Sequence, residues 1–262
     1  MRKYIEFAKV QMQVNSAYSA WLWANIASIL LRLFIAYYFW QAVYSNKSSI
    51  KGMPLDDMLT YIIVAMFMQM FVSGVGRELS GTIRDGNVAV ELMRPYHLIS
   101  RMIAMDAGDK IVFFIRGALP LGIFSYFFMD ISLPDTWEKG ALFLVSAALG
   151  IFVGTFFDLL IAILAFWTVN VWGLEVMKEA VIAFFSGALV PLILFPEWFQ
   201  SLSLFLPFQA MVYIPVSIYT GLLSGTEAYL AIGVQLIWAV FFLWLMNVLW
   251  SIAIKKVTIF GG

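Results

Sequence analysis

The chain has 262 residues, of which 63% are hydrophobic, 17% aromatic and only 12% charged. Soluble domains carry about a quarter charged residues to keep their surface in water, so half that share excludes a water-soluble globule and makes lipid the solvent for much of the exterior. Sixteen basic and sixteen acidic residues cancel, and no block of like charge marks a nucleic-acid surface. Zero cysteines exclude disulfides, thiolate-bound zinc, iron–sulfur clusters and a thiol nucleophile, and the single histidine, His97, cannot build a multi-histidine metal site.

Residues 2 to 20 place Tyr4, Phe7, Val14 and Tyr18 on one helical face, with Arg2, Glu6, Lys9 and Gln13 on the other. This is the pattern of a helix lying along a membrane surface, the alternative being a solvated leader. Met1-Arg2-Lys3 resembles the start of a signal peptide, but no convincing small-residue cleavage site follows the first apolar run, which is read as a retained helix. Six spans are expected, at about 22–44, 58–76, 111–129, 141–169, 180–195 and 228–254. The fold class is therefore all-α and polytopic, a single transmembrane domain over residues 1–262.

An even number of spans places both termini on one side. Arg2, Lys3, Lys9, Arg77, Arg84, Arg94, Arg101, Lys110, Lys178, Lys255 and Lys256 fall on that side, against Lys47, Lys51 and Lys139 on the other. The positive-inside rule makes the termini cytoplasmic in a cell inner membrane. Between the second and third spans, Gly86 can break the chain, Val88, Leu92 and Met93 recur at helical spacing, and Pro95 is a stop, so a short helix is expected at about 87–94. Its Glu91 and Arg94 either dock a soluble partner or are solvated charges of an ordinary turn. From 197 to 222 the chain is apolar, yet Pro191, Pro196, Pro207 and Pro215 are half of its eight prolines. Broken helices dipping into the outer leaflet fit better than a seventh span.

Arg32 and Asp158 fall inside the first and fourth expected spans at similar estimated depths. An unpaired charge there costs on the order of 3 kcal/mol, so the two either line a cavity, lock the helices in one state, or form a static packing pair. Arg116, five residues into the third expected span, can snorkel to the headgroups. Trp167, Asn170 and Trp172 mark an inner headgroup belt, and Met66, Met68 and Met70 suit either an adaptable path or ordinary packing.

The runs GNVAVELMRP, WQAVYSNKSSIKGMPLDDMLTY and FWTVNVWGLEVMKEAVIAFFSGALVPLILFPEWFQSLSLFLPFQAMVYIPVSIYTG resemble the six-span permeases of type-2 ATP-binding-cassette (ABC) exporters over nearly the whole chain. The resemblance implies that Gly86, Asn87, Glu91, Arg94 and Pro95 belong to a coupling helix seated in a cytosolic ABC ATPase. It also implies two ATPase copies carrying ATP and Mg, a second permease, identical or paralogous, and re-entrant outer helices before the last span. No G-x-x-x-x-G-K-[ST] run is present, so the chain has no Walker-type phosphate cradle. It is expected to be no enzyme and to hold no cofactor or metal of its own, with lipid and the partner proteins as its contacts. The expected function is export of an amphipathic or hydrophobic substrate: a drug, a lipid-like molecule or a peptide. The other reading of the residues is an ion-coupled secondary transporter using Asp158.

Overall fold

The computed structural model describes residues 2–17, 19–72, 74–168 and 171–256. Tyr18 and Asn170, singled out above, lie outside the described residues. Helix α1 (Arg2–Ala17) leads into α2 (Ser19–Tyr44), and a tight antiparallel hairpin of β1 (Ser49–Ile50) and β2 (Met53–Pro54) follows. Helix α3 (Leu55–Val72) breaks at Gly74 and continues as α4 (Val75–Arg84); α5 (Val88–Leu92) is a single turn in the connection to α6 (Leu98–Phe113). A wide π turn at Phe114–Ala118 joins α6 to α7 (Leu119–Phe128), and α8 (Trp137–Ile163) and α9 (Val171–Phe185) come next. The chain then makes two short helices, α10 (Glu197–Leu204) and α11 (Tyr213–Tyr219), before the closing helix α12 (Thr226–Ala253).

Five helical stretches among the described residues are long and apolar enough to cross a bilayer: Trp23–Tyr44, Leu55–Arg84, Leu98–Phe128, Trp137–Phe166 and Thr226–Lys256. The expected span at 180–195 corresponds to α9, displaced toward the N-terminus and only 15 residues long. At 1.5 Å per residue it reaches about 22 Å, short of a hydrocarbon core of about 30 Å. The chain that follows it, at 186–196, is not α-helical. Glu175 near the start of α9 bonds Arg77 on α4, whereas Phe195 and Ile193 accept hydrogen bonds from Lys51 beside the β hairpin.

The third expected span starts 13 residues earlier than hydropathy suggests, because Arg101, Asp106 and Lys110 find partners within the fold and the helix runs through them. Arg116 consequently sits in the π turn, midway along Leu98–Phe128, rather than near the beginning of a span. The expected face of α1 is also shifted. Tyr4, Phe7, Ala8 and Gln11 turn toward the protein, where α1 packs along α6, while Ile5, Val10 and Val14 are exposed.

Helix α8 is the hub, packing against α3, α4, α9, α11 and α12. Two glycines allow the close approach. A Cβ at Gly150 would stand 2.6 Å from the Met211 carbonyl oxygen, and one at Gly154 would stand 2.5 Å from that of Val72. Small residues let helix backbones meet in lipid, where helix association depends on van der Waals packing and hydrogen bonds. Gln235 of α12 fixes the other side of the hub: its amide donates to the carbonyls of Ser146 and Ala210, and its oxygen accepts from the Ser146 hydroxyl. The proline-rich segment folds as short broken helices, as expected, with Ala210, Met211 and Val212 fully buried against the hub. Outward faces of α2 and α12 are apolar, with Leu31, Ile35, Tyr38, Leu230, Ile237 and Val240 each more than 60% exposed, as lipid contact requires.

Gly154→Ala is expected to destabilise the protein by about 1–3 kcal/mol, because backbone must move to admit the methyl group. Gly122→Ala, in open space on α7, is expected to be neutral or slightly stabilising. Thermal unfolding of the two variants in detergent checks the contrast.

Candidate functional site

The connection between α4 and α6 is a small, internally braced structure. Gly86 adopts φ +75°, a left-handed conformation that glycine reaches without strain, and so turns the chain out of α4. Asn87 precedes α5 without making a side-chain cap, and only Val88 of α5 is buried. The expected helix at 87–94 is thus shorter, five residues, and Leu92 and Met93 are exposed. Val90, Leu92 and Met93 are 49%, 39% and 73% exposed, an apolar tip flanked by Arg84, Asp85 and Arg94.

Glu91, read above as an available charge, is instead the strut of this loop. Its carboxylate pairs with Arg94 at 3.2 Å and Arg101 at 2.9 Å and accepts from the Tyr96 hydroxyl at 2.6 Å. Tyr96 and Glu91 in turn hold the Arg94 guanidinium above its usual pKa. The N-terminal helix clasps the same loop. Lys3 donates to the Pro95 carbonyl at 2.9 Å, the Tyr4 hydroxyl accepts from the His97 amide at 3.2 Å, and the Phe7 ring meets Tyr96 edge-on at 5.2 Å. His97 caps α6, its Nδ1 accepting from the Ser100 amide.

Helix α4 runs from this loop to a buried charged joint. The break between α3 and α4 frees the amides of Gly74 and Gly76, and one oxygen of Asp158, on α8, accepts both at 2.9 and 2.7 Å. The other oxygen is bound by the Lys178 ammonium of α9, and both side chains are almost fully buried. A carboxylate here answers the partial positive charge of a helix N-terminus. Gly76 is required by the fit, since a Cβ would lie 2.6 Å from the carboxylate. A second set of contacts ties α4 to α9: Arg77 bridges Glu175 at 3.2 Å and Glu179 at 2.6 Å, and the Ser80 hydroxyl donates to Glu175 at 2.8 Å. On α6, Lys110 pairs with Asp106 of the same helix and donates to Thr155 of α8, bringing a fourth helix to the joint.

Asp158 lies only five residues, about 7.5 Å, from the end of α8, not at mid-span as the expected 141–169 helix implied. Its partner is Lys178, not Arg32. Lys178 and Lys110 are accordingly internal groups and not loop charges, which removes both from the topological count.

Arg32 occupies a different place. It lies at the neck between two open clefts, one of about 590 Å³ lined by apolar residues of α2, α3 and α9 together with Gln69 and Glu179, and one of about 290 Å³ bordered by Glu78, Asp106, Asp109 and Lys110. Met66 and Met70 line the larger cleft, whereas Met68 is buried packing.

The sequence model of the family described as ABC-2 family transporter protein matches residues 30–261. The chain belongs to the ABC-2 transporter family. No curated protein sequence matches it. This ABC-2 protein is a multi-pass transmembrane permease, and its family forms the membrane component of transporters whose ATPase is separate. Of the residues picked out by sequence, the ABC-2 permease gathers Gly86, Asn87, Glu91, Arg94 and Pro95 into one loop, while Arg32 and Asp158 stand apart. Lys178, Glu175 and the Gly74 break were missed. A signal existed: glycines at 74 and 76 interrupt an apolar run, and Glu175, Lys178 and Glu179 recur at helical spacing inside another.

Asp158→Ala is expected to cost on the order of 3–5 kcal/mol, since it leaves Lys178 and two amides buried without partners. Asp158→Asn, which keeps an acceptor oxygen, is expected to cost less. In double-mutant cycles read by thermal unfolding, Asp158→Asn and Lys178→Met should couple strongly, whereas Asp158→Asn and Arg32→Gln should add within about 0.5 kcal/mol.

Proposed function

We propose that this chain is the permease subunit of an ABC exporter, driven by ATP hydrolysis on a separate cytosolic subunit present in two copies. The supporting observation is the loop at 86–95. It is braced from within by Glu91 and from the side by Lys3, Tyr4 and Phe7, yet it leaves Val90, Leu92 and Met93 exposed among the described residues. A stiff loop with an apolar tip is suited to being gripped and pushed by another protein, which fits the coupling helix of the permeases it resembles.

A push on the loop travels along α4 to the joint at Asp158 and, through Arg77 and Lys178, to α9, which lines the larger cleft. ATP, with Mg, acts on the partner. It shifts the permease between pathway states only to the extent that the assembled motor binds those states unequally. A second permease, identical or paralogous, closes the open clefts into a pathway for an amphipathic or hydrophobic substrate, carried out of the cytoplasm. Both termini and the 86–95 loop then face the cytoplasm, and α10 and α11 lie toward the outer leaflet. The ion-coupled alternative using Asp158 gains nothing from the geometry, since that carboxylate is already engaged by Lys178 and two amides.

Met93→Asp, at a largely exposed position, is expected to leave folding intact and to weaken retention of the ATPase by tenfold or more, a loss of at least about 1.4 kcal/mol. Co-purification from mild detergent and ATP-dependent transport in proteoliposomes measure it. Transport by the permease in vesicles free of any ATPase would overturn the proposal.

A further inference from the structure

The larger cleft has a chemical asymmetry that narrows the cargo. Its walls are apolar and aromatic, with Ile35, Phe39, Trp40, Ile62 and Met66 among the residues facing the space. Two charged groups reach it. Glu179 is held by Arg77 at 2.6 Å and is neutralised from behind. Arg32 is not neutralised: among the described residues its guanidinium reaches only the Ser28 carbonyl of its own helix, at 3.5 Å. It stands nine residues from Trp23 and twelve from Tyr44, well inside its span. A cation at such a depth faces a water-filled cavity or an anionic partner, because lipid penalises it heavily.

The second cleft sets the limit of the site. It shares Arg32 and Met70 with the first, and beyond the arginine it is bordered by Glu78, Asp106 and Asp109, with Lys110 paired to Asp106. Beyond Arg32 the lining is mainly acidic, which favours an anionic head stopping at the neck with its apolar body in the larger cleft. The guanidinium fork suits a carboxylate, sulfonate or phosphate ester, which it can hold through two parallel hydrogen bonds.

We propose that Arg32 is a substrate-binding residue and that the permease selects amphiphiles with an anionic head and an apolar body. This rests on the permease reading and specifies its cargo. Purified complex of the permease with its ATPase, without nucleotide, is titrated with a dansyl-labelled undecanoic acid, its neutral amide and the corresponding amine, with dansyl fluorescence as the readout. The acid should bind at least about tenfold more tightly than the amide, as a charge-assisted contact predicts. Arg32→Gln should erase that preference, and Arg32→Lys should retain part of it.

Equal affinity for acid and amide, tighter binding of the amine, or a preference for the acid that survives Arg32→Gln would each overturn the assignment. Arg32→Gln that dissociates the permease pair would also overturn it, by placing the anionic partner of Arg32 on the second subunit. Failure of the wild-type chain to retain an ATPase would instead remove the permease reading and leave the measured head-group preference standing.

Discussion

The arrangement of this protein depends on one carboxylate. Asp158 accepts the amides of Gly74 and Gly76 and binds the Lys178 ammonium, and so joins α4, α8 and α9 at a single buried point. A helix interrupted at bilayer depth has polar backbone groups that lipid cannot satisfy, so a break survives only where protein or water supplies the partners. Asp158 supplies them for the break at Gly74. Because it does, the second membrane-crossing stretch is two helices meeting at an articulated point, and the direction of α4 is set by a contact with the hub.

The charges around this point follow the same logic. Glu175, Lys110 and Asp106 are largely buried and would each be costly alone; each is placed against an opposite charge, Glu175 against the exposed Arg77, which also reaches the exposed Glu179. Such buried pairs contribute little net stability compared with well-packed apolar residues, but breaking one is expensive. Their effect is to tie named helices together in one register. Helices α4 and α9 carry two independent ties, and the loop at 86–95 carries its own through Glu91. A displacement of the loop therefore has a continuous set of stiff contacts to follow into the bundle. In the proposed function this continuity lets a soluble motor act on a cleft it never touches.

The two ends of the bundle are built differently. The end bearing α5 is charged and braced by ion pairs. At the other, Lys51 gathers the carbonyls of Ile193 and Phe195, and around α10 the rings of Phe185 and Phe195 stack on Phe199 while Phe184 meets it edge-on. The short helices α10 and α11 are held by packing on α8, where Gly150 removes the side chain that would keep the Met211 backbone away. Prolines prevent a long helix in this segment, and apolar burial supplies what the missing helix would have contributed.

Local chemistry was enough to determine the polytopic all-α class, five of the helical crossings to within a few residues at one end or both, the turn at Gly86 and the broken segment after Pro196. Each depends on hydropathy, proline or glycine acting within a few residues of itself. The ends of α6, the shortness of α9 and the partner of Asp158 were decided only by tertiary structure. In each case a charged residue that hydropathy assigns to a loop or to lipid, such as Lys110 or Lys178, is stabilised by an opposite charge distant in the chain. A sequence shows that a charge is present; whether it is paired is a property of the folded distance between two side chains, and that distance sets how far a helix can extend into the membrane.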